Sequence, residues 1–447
     1  MTTIPSRLVT FMFVSAAFIV GPAFAWDLPA DNGTMPRETV AAIVAGNDFP
    51  ETTSYKQSID FIDFTANGHK FTQVVVTLTP ERPLLQNGKR VVVVGAEPGS
   101  EYAMDFVATA EGKDGVGAWL AKRGVTFVAL TRVGRWNFLA PTGDGSWESV
   151  PLDKRMPIFS RDQKEHWSET EWVVQQAPTS NTGANSSVYR FPREGSALQN
   201  HMIATTGNVF VEGYRLALEK AITDRGNALV LFWGWSTGGP SIYALAKYYL
   251  PDGYIGWGMS PTAMAAASRA ARGHNYNGLY DRSALRVRER GVDDFDFYTK
   301  HVDSETKARW WRGSQKDPRF KGTEDAPMNL NASAMTEHAL RLWNSDFLPD
   351  EVRQRGLPAL IQSMFDASFP PEELKKVPIL DVNGTLDEVL PPTVVDGNRA
   401  TTGAYAHTYR VGRIEGLHHY LYTQEDTKVV AFTFLRYIQS GYFDLNN

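Results

Sequence analysis

Three short segments of the 447-residue chain carry residues whose types and order suit nucleophilic acyl transfer. The first is Gly234-Trp235-Ser236-Thr237-Gly238-Gly239, a G-x-S-x-G pattern that leaves the apolar stretch Ala228 to Trp233 and enters a helix-like stretch from Pro240 to Tyr249. A serine hydroxyl is a weak nucleophile alone. It needs an imidazole to take its proton and a carboxylate to orient that imidazole and stabilise its cation. The second segment, Asn383 to Pro392, offers Asp387, and the third, Glu415 to Leu421, offers the adjacent pair His418-His419. A turn tight enough to expose a nucleophile demands small neighbours, and Gly234 and Gly238 are small. The helix beyond the serine aims unpaired amides and a positive dipole end at charge developing on the substrate. In a chain with 37 Gly the bare pattern is weak; its place between a buried strand and a helix gives it weight.

The three segments need a common framework, and the hydrophobic pattern predicts one. Strands are expected at 71–78, 91–94, 125–133, 228–233, 254–259, 378–382 and 408–414, and helices at 115–123, 199–225, 240–249 and 427–440. The continuous run Val91 to Val94 is that of a strand buried on both faces. Strand–helix alternation over this length predicts an α/β fold, a mostly parallel sheet flanked by helices. Two stretches break the rhythm. Residues 134–196 are polar and rich in Gly, Ser, Asn and Pro, an excursion between a strand and a helix. Residues 261–370 are charged and helical in pattern, and are expected to form an inserted helical cap. The core would then consist of 26–260 and 371–447, with 1–25 a separate segment.

With these motifs in view the chain resembles the α/β-hydrolases, which order their triad as serine, acid, histidine. The resemblance implies that Ser236 is the nucleophile. It implies Asp387 as the acid, because Gly384, Asp387 and the Pro391-Pro392 pair match the loop that presents it, with Glu388 the neighbour most easily confused with it. It implies that the base is His419 or His418; Gly416 three residues earlier favours His419, whereas a Gly-Leu-His reading favours His418. The oxyanion hole would be the backbone N–H of Thr237 and one from the loop Gly95 to Ser100. That loop resembles the family's His-Gly-x-Pro-Gly loop but begins Gly95-Ala96, so Glu97 supplies the second donor, or alternatively Ala96. Trp235, just before the serine, is expected close to the substrate pocket.

The resemblance further implies hydrolysis of a carboxylic ester through an acyl-enzyme, with no cofactor and no metal. The same triad serves a serine peptidase or amidase, and the same fold can serve as a non-catalytic binding protein. A serine nucleophile separates the chain from haloalkane dehalogenases, which use Asp. Ser-Thr-Gly-Gly is also similar to tannases and feruloyl esterases, but those bracket the triad with a Cys pair and this chain has no Cys.

Composition narrows the field. With 45 Lys+Arg against 50 Asp+Glu, a formal charge of -5 and 43% hydrophobic residues, the chain reads as a folded globular protein, not a charged tail. The absence of Cys excludes disulfides, thiolate metal sites and iron–sulfur clusters. The run Arg286 to Arg290 is diluted by Glu289 and neighbouring Asp residues, so no nucleic-acid partner is expected. The first 25 residues carry one charge, Arg7, then an apolar run to Val20 and Ala23-Phe24-Ala25, which predicts a signal peptide cleaved after Ala25. The mature protein is expected to be periplasmic or secreted, without a membrane anchor, and to take a small-molecule or polymer-derived ester. Aromatic residues make up 12%, with Trp233, Trp235 and Trp257 near the serine and Trp310, Trp311 and Trp343 in the expected cap, suggesting an apolar or aromatic pocket.

Overall fold

A computed structural model describes residues 33–47, 49–96, 103–107, 113–131, 133, 139–141, 147–149, 160–161, 172–176, 188–192, 200–201, 204, 207–235, 238–239, 242, 245, 248–258, 377–387, 409–417, 421 and 424–444. The expected signal segment and the expected cap lie outside them. The described elements are β1 (Gly33–Met35), α1 (Arg37–Ala45), β2 (Tyr55–Ala66), β3 (His69–Pro80), β4 (Leu85–Gln86), β5 (Lys89–Ala96), α2 (Val116–Ala121) and β6 (Thr126–Leu130). They continue with β7 (Leu139–Pro141), β8 (Trp147–Ser149), β9 (Trp172–Gln176), β10 (Val188–Pro192), α3 (Gly207–Ala221), β11 (Ala228–Trp235), β12 (Gly253–Trp257), β13 (Ile379–Gly384), β14 (Tyr409–Ile414) and α4 (Gln424–Gln439).

One sheet runs in the order β1-β14-β13-β12-β11-β5-β6-β3-β2, with β4 paired to β5. From β1 to β6 along this path every pairing is parallel; β6–β3, β3–β2 and β4–β5 are antiparallel. Each expected strand is present. The polar excursion contains two short antiparallel pairs, β7–β8 and β9–β10.

The sheet is buried on both faces because its central strands are apolar at every position, not at alternate ones. Val91, Val93, Leu229, Leu231, Trp233 and Trp235 face a core shared with α2 and α4, while Val92, Val94, Val230 and Phe232 face one shared with α3. Trp233 is the hub of the first, its ring 4.6 Å from Phe434 and 5.8 Å from both Phe106 and Phe127. The antiparallel arm obeys different chemistry. The turn between β2 and β3 is Asn67-Gly68, and that between β4 and β5 is Asn87-Gly88; both residues of each pair have positive φ. Asn-Gly tolerates that conformation, and such turns match the twist of a two-residue hairpin.

Candidate active site

The residues read from sequence as functional all follow strands at the same edge. Ala96 ends β5 opposite Gly234 on β11, Gly234 is opposite Gly256 on β12, and Gly384 ends β13 opposite Ile414 on β14. The chain therefore leaves the sheet at neighbouring points before the expected oxyanion loop, after the expected nucleophile strand, before the expected acid and before the histidine pair. In open α/β sheets that carboxyl edge is where ligands bind.

At the nucleophile strand, β11 is buried to its last residue and the backbone is helical again by Gly238 and Gly239. Ser236 and Thr237, between β11 and Gly238 in sequence, lie outside the described residues. A Cβ added at Gly234 would lie 2.7 Å from Gly239 N and closer still to its Cα. Backbone meets backbone across the reversal. The sequence pattern ends at Gly238, so Gly239 is a participant that the pattern does not include. Trp235 is 1% exposed and belongs to the core on the α2 and α4 face. The sequence reading expected it close to the substrate pocket; in the described residues it packs in the core of that face. Trp233 and Trp257 are likewise core residues.

Asp387 is 3% exposed, three residues beyond the end of β13. Its N–H donates to the Gly384 carbonyl at 3.1 Å, and Asn383 Nδ2 donates to its Oδ2 at 3.3 Å. This loop is bonded directly to the one after β14. Thr385 N donates to Ile414 O and Leu386 N to Leu417 O, each at 3.0 Å, and Gly416 N donates to Thr385 Oγ1 at 3.0 Å. Gly416 sits at φ +82°, a conformation glycine adopts without strain. Leu417 is buried and immediately precedes the histidine pair; His418 and His419 lie outside the described residues. The far side of the same loop is braced from the N-terminus: Glu415 N donates to Met35 O, and Arg37 N donates to Glu415 Oε2, both at 3.0 Å.

The expected second oxyanion donor, Glu97, lies outside the described residues. Ala96, the alternative, is the last residue of β5, flanked by Gly234 and Leu130. Among the described residues no group of three or more His, Cys, Asp or Glu is placed to hold a metal ion, and no helix is long and apolar enough to cross a membrane. Sequence reasoning missed Asn383, Thr385 and Gly239. The first two stand inside the loop that it read as acid-presenting, where Asn-Gly-Thr signals only a turn.

No family model matches the chain, and no curated protein matches it. Among solved structures it is similar to a peroxisomal α/β-hydrolase of Saccharomyces cerevisiae, at 10% identity and a TM-score of 0.43 over 87% of this chain and 90% of that one. It is similar to a carboxyl esterase from Bacillus coagulans, at 12% identity and a TM-score of 0.40 over 86% and 98% of the two chains. A variant of an epoxide hydrolase from Solanum tuberosum matches at 13% identity and a TM-score of 0.40, over 86% of this chain and 100% of that one. The described sheet is mostly parallel with helices on both faces, and the strand at 228–235 is followed by helical backbone at Gly238 and Gly239.

Proposed function

We propose that this protein is a serine hydrolase that cleaves a carboxylic ester through Ser236, His419 and Asp387. The observation that carries this reading is the seam between the loops after β13 and β14, in which Leu386, next to buried Asp387, bonds to Leu417, next in sequence to the histidine pair. It is supported by the backbone contact of Gly234 with Gly239, the glycines on either side of Ser236 in sequence.

In this mechanism His419 takes the Ser236 proton as the serine oxygen bonds to the ester carbonyl carbon. The carbonyl π electrons move to its oxygen, which the amides of Thr237 and Glu97 receive. Collapse breaks the ester C–O bond; His419 returns the proton to the leaving alcohol, and the acyl-enzyme remains. Water then gives its proton to His419, attacks the acyl carbon and releases the acid with Ser236 restored. Asp387 holds the imidazole and stabilises its cation throughout. The substrate proposed is an apolar or aromatic ester, on the strength of the Trp residues in 261–370, and the site of action is the periplasm or exterior, on the strength of residues 1–25.

A fluorophosphonate probe followed by peptide mapping tests the nucleophile. Modification is expected at Ser236, and Ser236→Ala is expected to lower p-nitrophenyl ester turnover by roughly 1,000-fold or more. Unchanged turnover in that variant would overturn the reading. Comparing His418→Ala with His419→Ala assigns the base, the larger loss being expected at His419.

A further inference from the structure

The acid loop and the histidine loop stay bonded to each other past the end of the β13–β14 ladder. Here the β13–β14 ladder ends at Gly384 opposite Ile414, yet bonding between the two chains continues through Thr385 N to Ile414 O and Leu386 N to Leu417 O. Close approach is enforced by Gly384, where a Cβ would lie 2.6 Å from the Leu417 carbonyl carbon and closer still to its oxygen. Among the hydrogen bonds described between these two loops, one uses a side chain: Thr385 Oγ1 accepts the N–H of Gly416 at 3.0 Å. Two residues earlier Asn383, 1% exposed, donates to the Asp387 carboxylate.

We propose that Thr385 and Asn383 are positioning residues of the triad, Thr385 clamping the histidine-bearing loop at Gly416 and Asn383 fixing the Asp387 carboxylate. The proposal rests on the triad assignment above. Gly416 lies two residues before His418, so a bond at its N–H limits the directions the following residues can take. Asn383 acts on the opposite partner, since a carboxylate with one oxygen bound to an amide cannot rotate freely. One three-residue stretch thereby sets both halves of the acid–base contact. In this role each acts through another residue, Thr385 through Gly416 and Asn383 through Asp387. Misplacement of about 1 Å in such a contact is worth roughly 100-fold in rate.

The test uses the full chain and p-nitrophenyl acetate, with fluorophosphonate titration of Ser236 to count competent sites. Thr385→Val keeps the shape and removes the acceptor, and Thr385→Ser keeps the acceptor. Thr385→Val is expected to lower kcat per titrated site about 10- to 100-fold with KM near that of the parent. Thr385→Ser is expected to recover to within about 3-fold of the parent. Asn383→Ala is expected to lower kcat by a similar factor, and it keeps the proposal testable if Thr385→Val does not fold. A kcat within about 3-fold of the parent in Thr385→Val or Asn383→Ala would overturn the proposal, as would equal losses in the Ser and Val variants. Failure of the triad reading looks different: the parent itself is then not labelled at Ser236, or Ser236→Ala retains turnover.

Discussion

The two edges of the central sheet differ in what is added to their backbone contacts. At the carboxyl edge, where the candidate site lies, chain segments meet backbone to backbone: Gly234 against Gly239, Gly384 against Leu417, and main-chain N–H groups bonded across two loops. At the amino edge, backbone contacts such as Leu84 N to Gly124 O are joined by charged side chains. Arg90 donates to Asp224, Lys122 lies between Glu51 and Asp114, and Arg123 stacks 3.5 Å over Trp119 while donating to the carbonyls of Phe49 and Trp119. Long side chains tolerate an ångström of error because they have rotamers to spend. Backbone contacts do not, so an edge held by them alone fixes geometry more closely. The contrast predicts that small insults at the carboxyl edge cost more than large ones at the amino edge.

The strongest way to break that contrast is Gly234→Ala. The new methyl would meet backbone atoms of Gly239 and no flexible side chain, so relief requires moving the strand end or the helix start. We expect a loss of about 3 kcal/mol or more, or failure to fold, seen in urea denaturation. A variant of parental stability would show that the reversal is not tight. Gly384→Ala tests the seam in the same way. It pushes on the Leu417 carbonyl, for an expected cost of about 2–3 kcal/mol. It should also lower kcat per competent site in the protein that still folds, because the displaced segment leads into the histidines.

Arg123→Ala is the matching insult at the amino edge, and it removes many more atoms. It deletes the stacking on Trp119 and two charged hydrogen bonds. The side chain is half-buried, however, and burial pushes its guanidinium down to about 10, so part of what it gains is already spent on desolvation. The expected loss is about 1–2 kcal/mol, smaller than for one methyl at Gly234, with kcat unchanged. A larger loss than in Gly234→Ala would reverse the ordering of the two edges.

How much of this was legible follows from the kind of contact. The parallel body was readable because Val91 to Val94 and Ala228 to Trp233 are apolar at successive positions, a pattern set by burial alone. The strand β2 was missed although Asn67-Gly68 marks its hairpin, because Tyr55 to Ala66 mixes charged and apolar residues on a half-exposed edge. Asp387 was chosen as the expected acid from a local glycine–acid–proline spacing. Asn383, Thr385 and Gly239 were not, because each matters through a partner brought close only by folding: Asn383 and Thr385 at hydrogen-bond distance, Gly239 in backbone contact. The core packing of Trp235 was not legible either, because a strand residue faces whatever its side of the sheet packs on.

The smallest effects sharpen the amino edge internally, because two of its carboxyls respond to pH in opposite senses. Asp224 is held below the usual carboxylate range by the hydrogen bonds and charge of Arg90. Its stabilisation is present above the unfolded value of about 3.9 and is lost as pH falls through the folded value. Asp252 is pushed up by burial, although its Oδ2 accepts the Val230 N–H at 2.7 Å. Its ionisation therefore works against folding, so stability is fullest at low pH and declines as pH rises through the folded value. Asp224→Asn should then be less stable than the parent near pH 7, by about 0.2–1 kcal/mol for so exposed a pair, with the gap closing toward pH 3. Asp252→Asn keeps an acceptor for Val230 and should gain on the parent as pH rises from 4 to 7. Urea denaturation of the three proteins across that range reads both trends. Parallel curves would mean that local charge does not set these contacts, and the distinction between edges would reduce to packing alone.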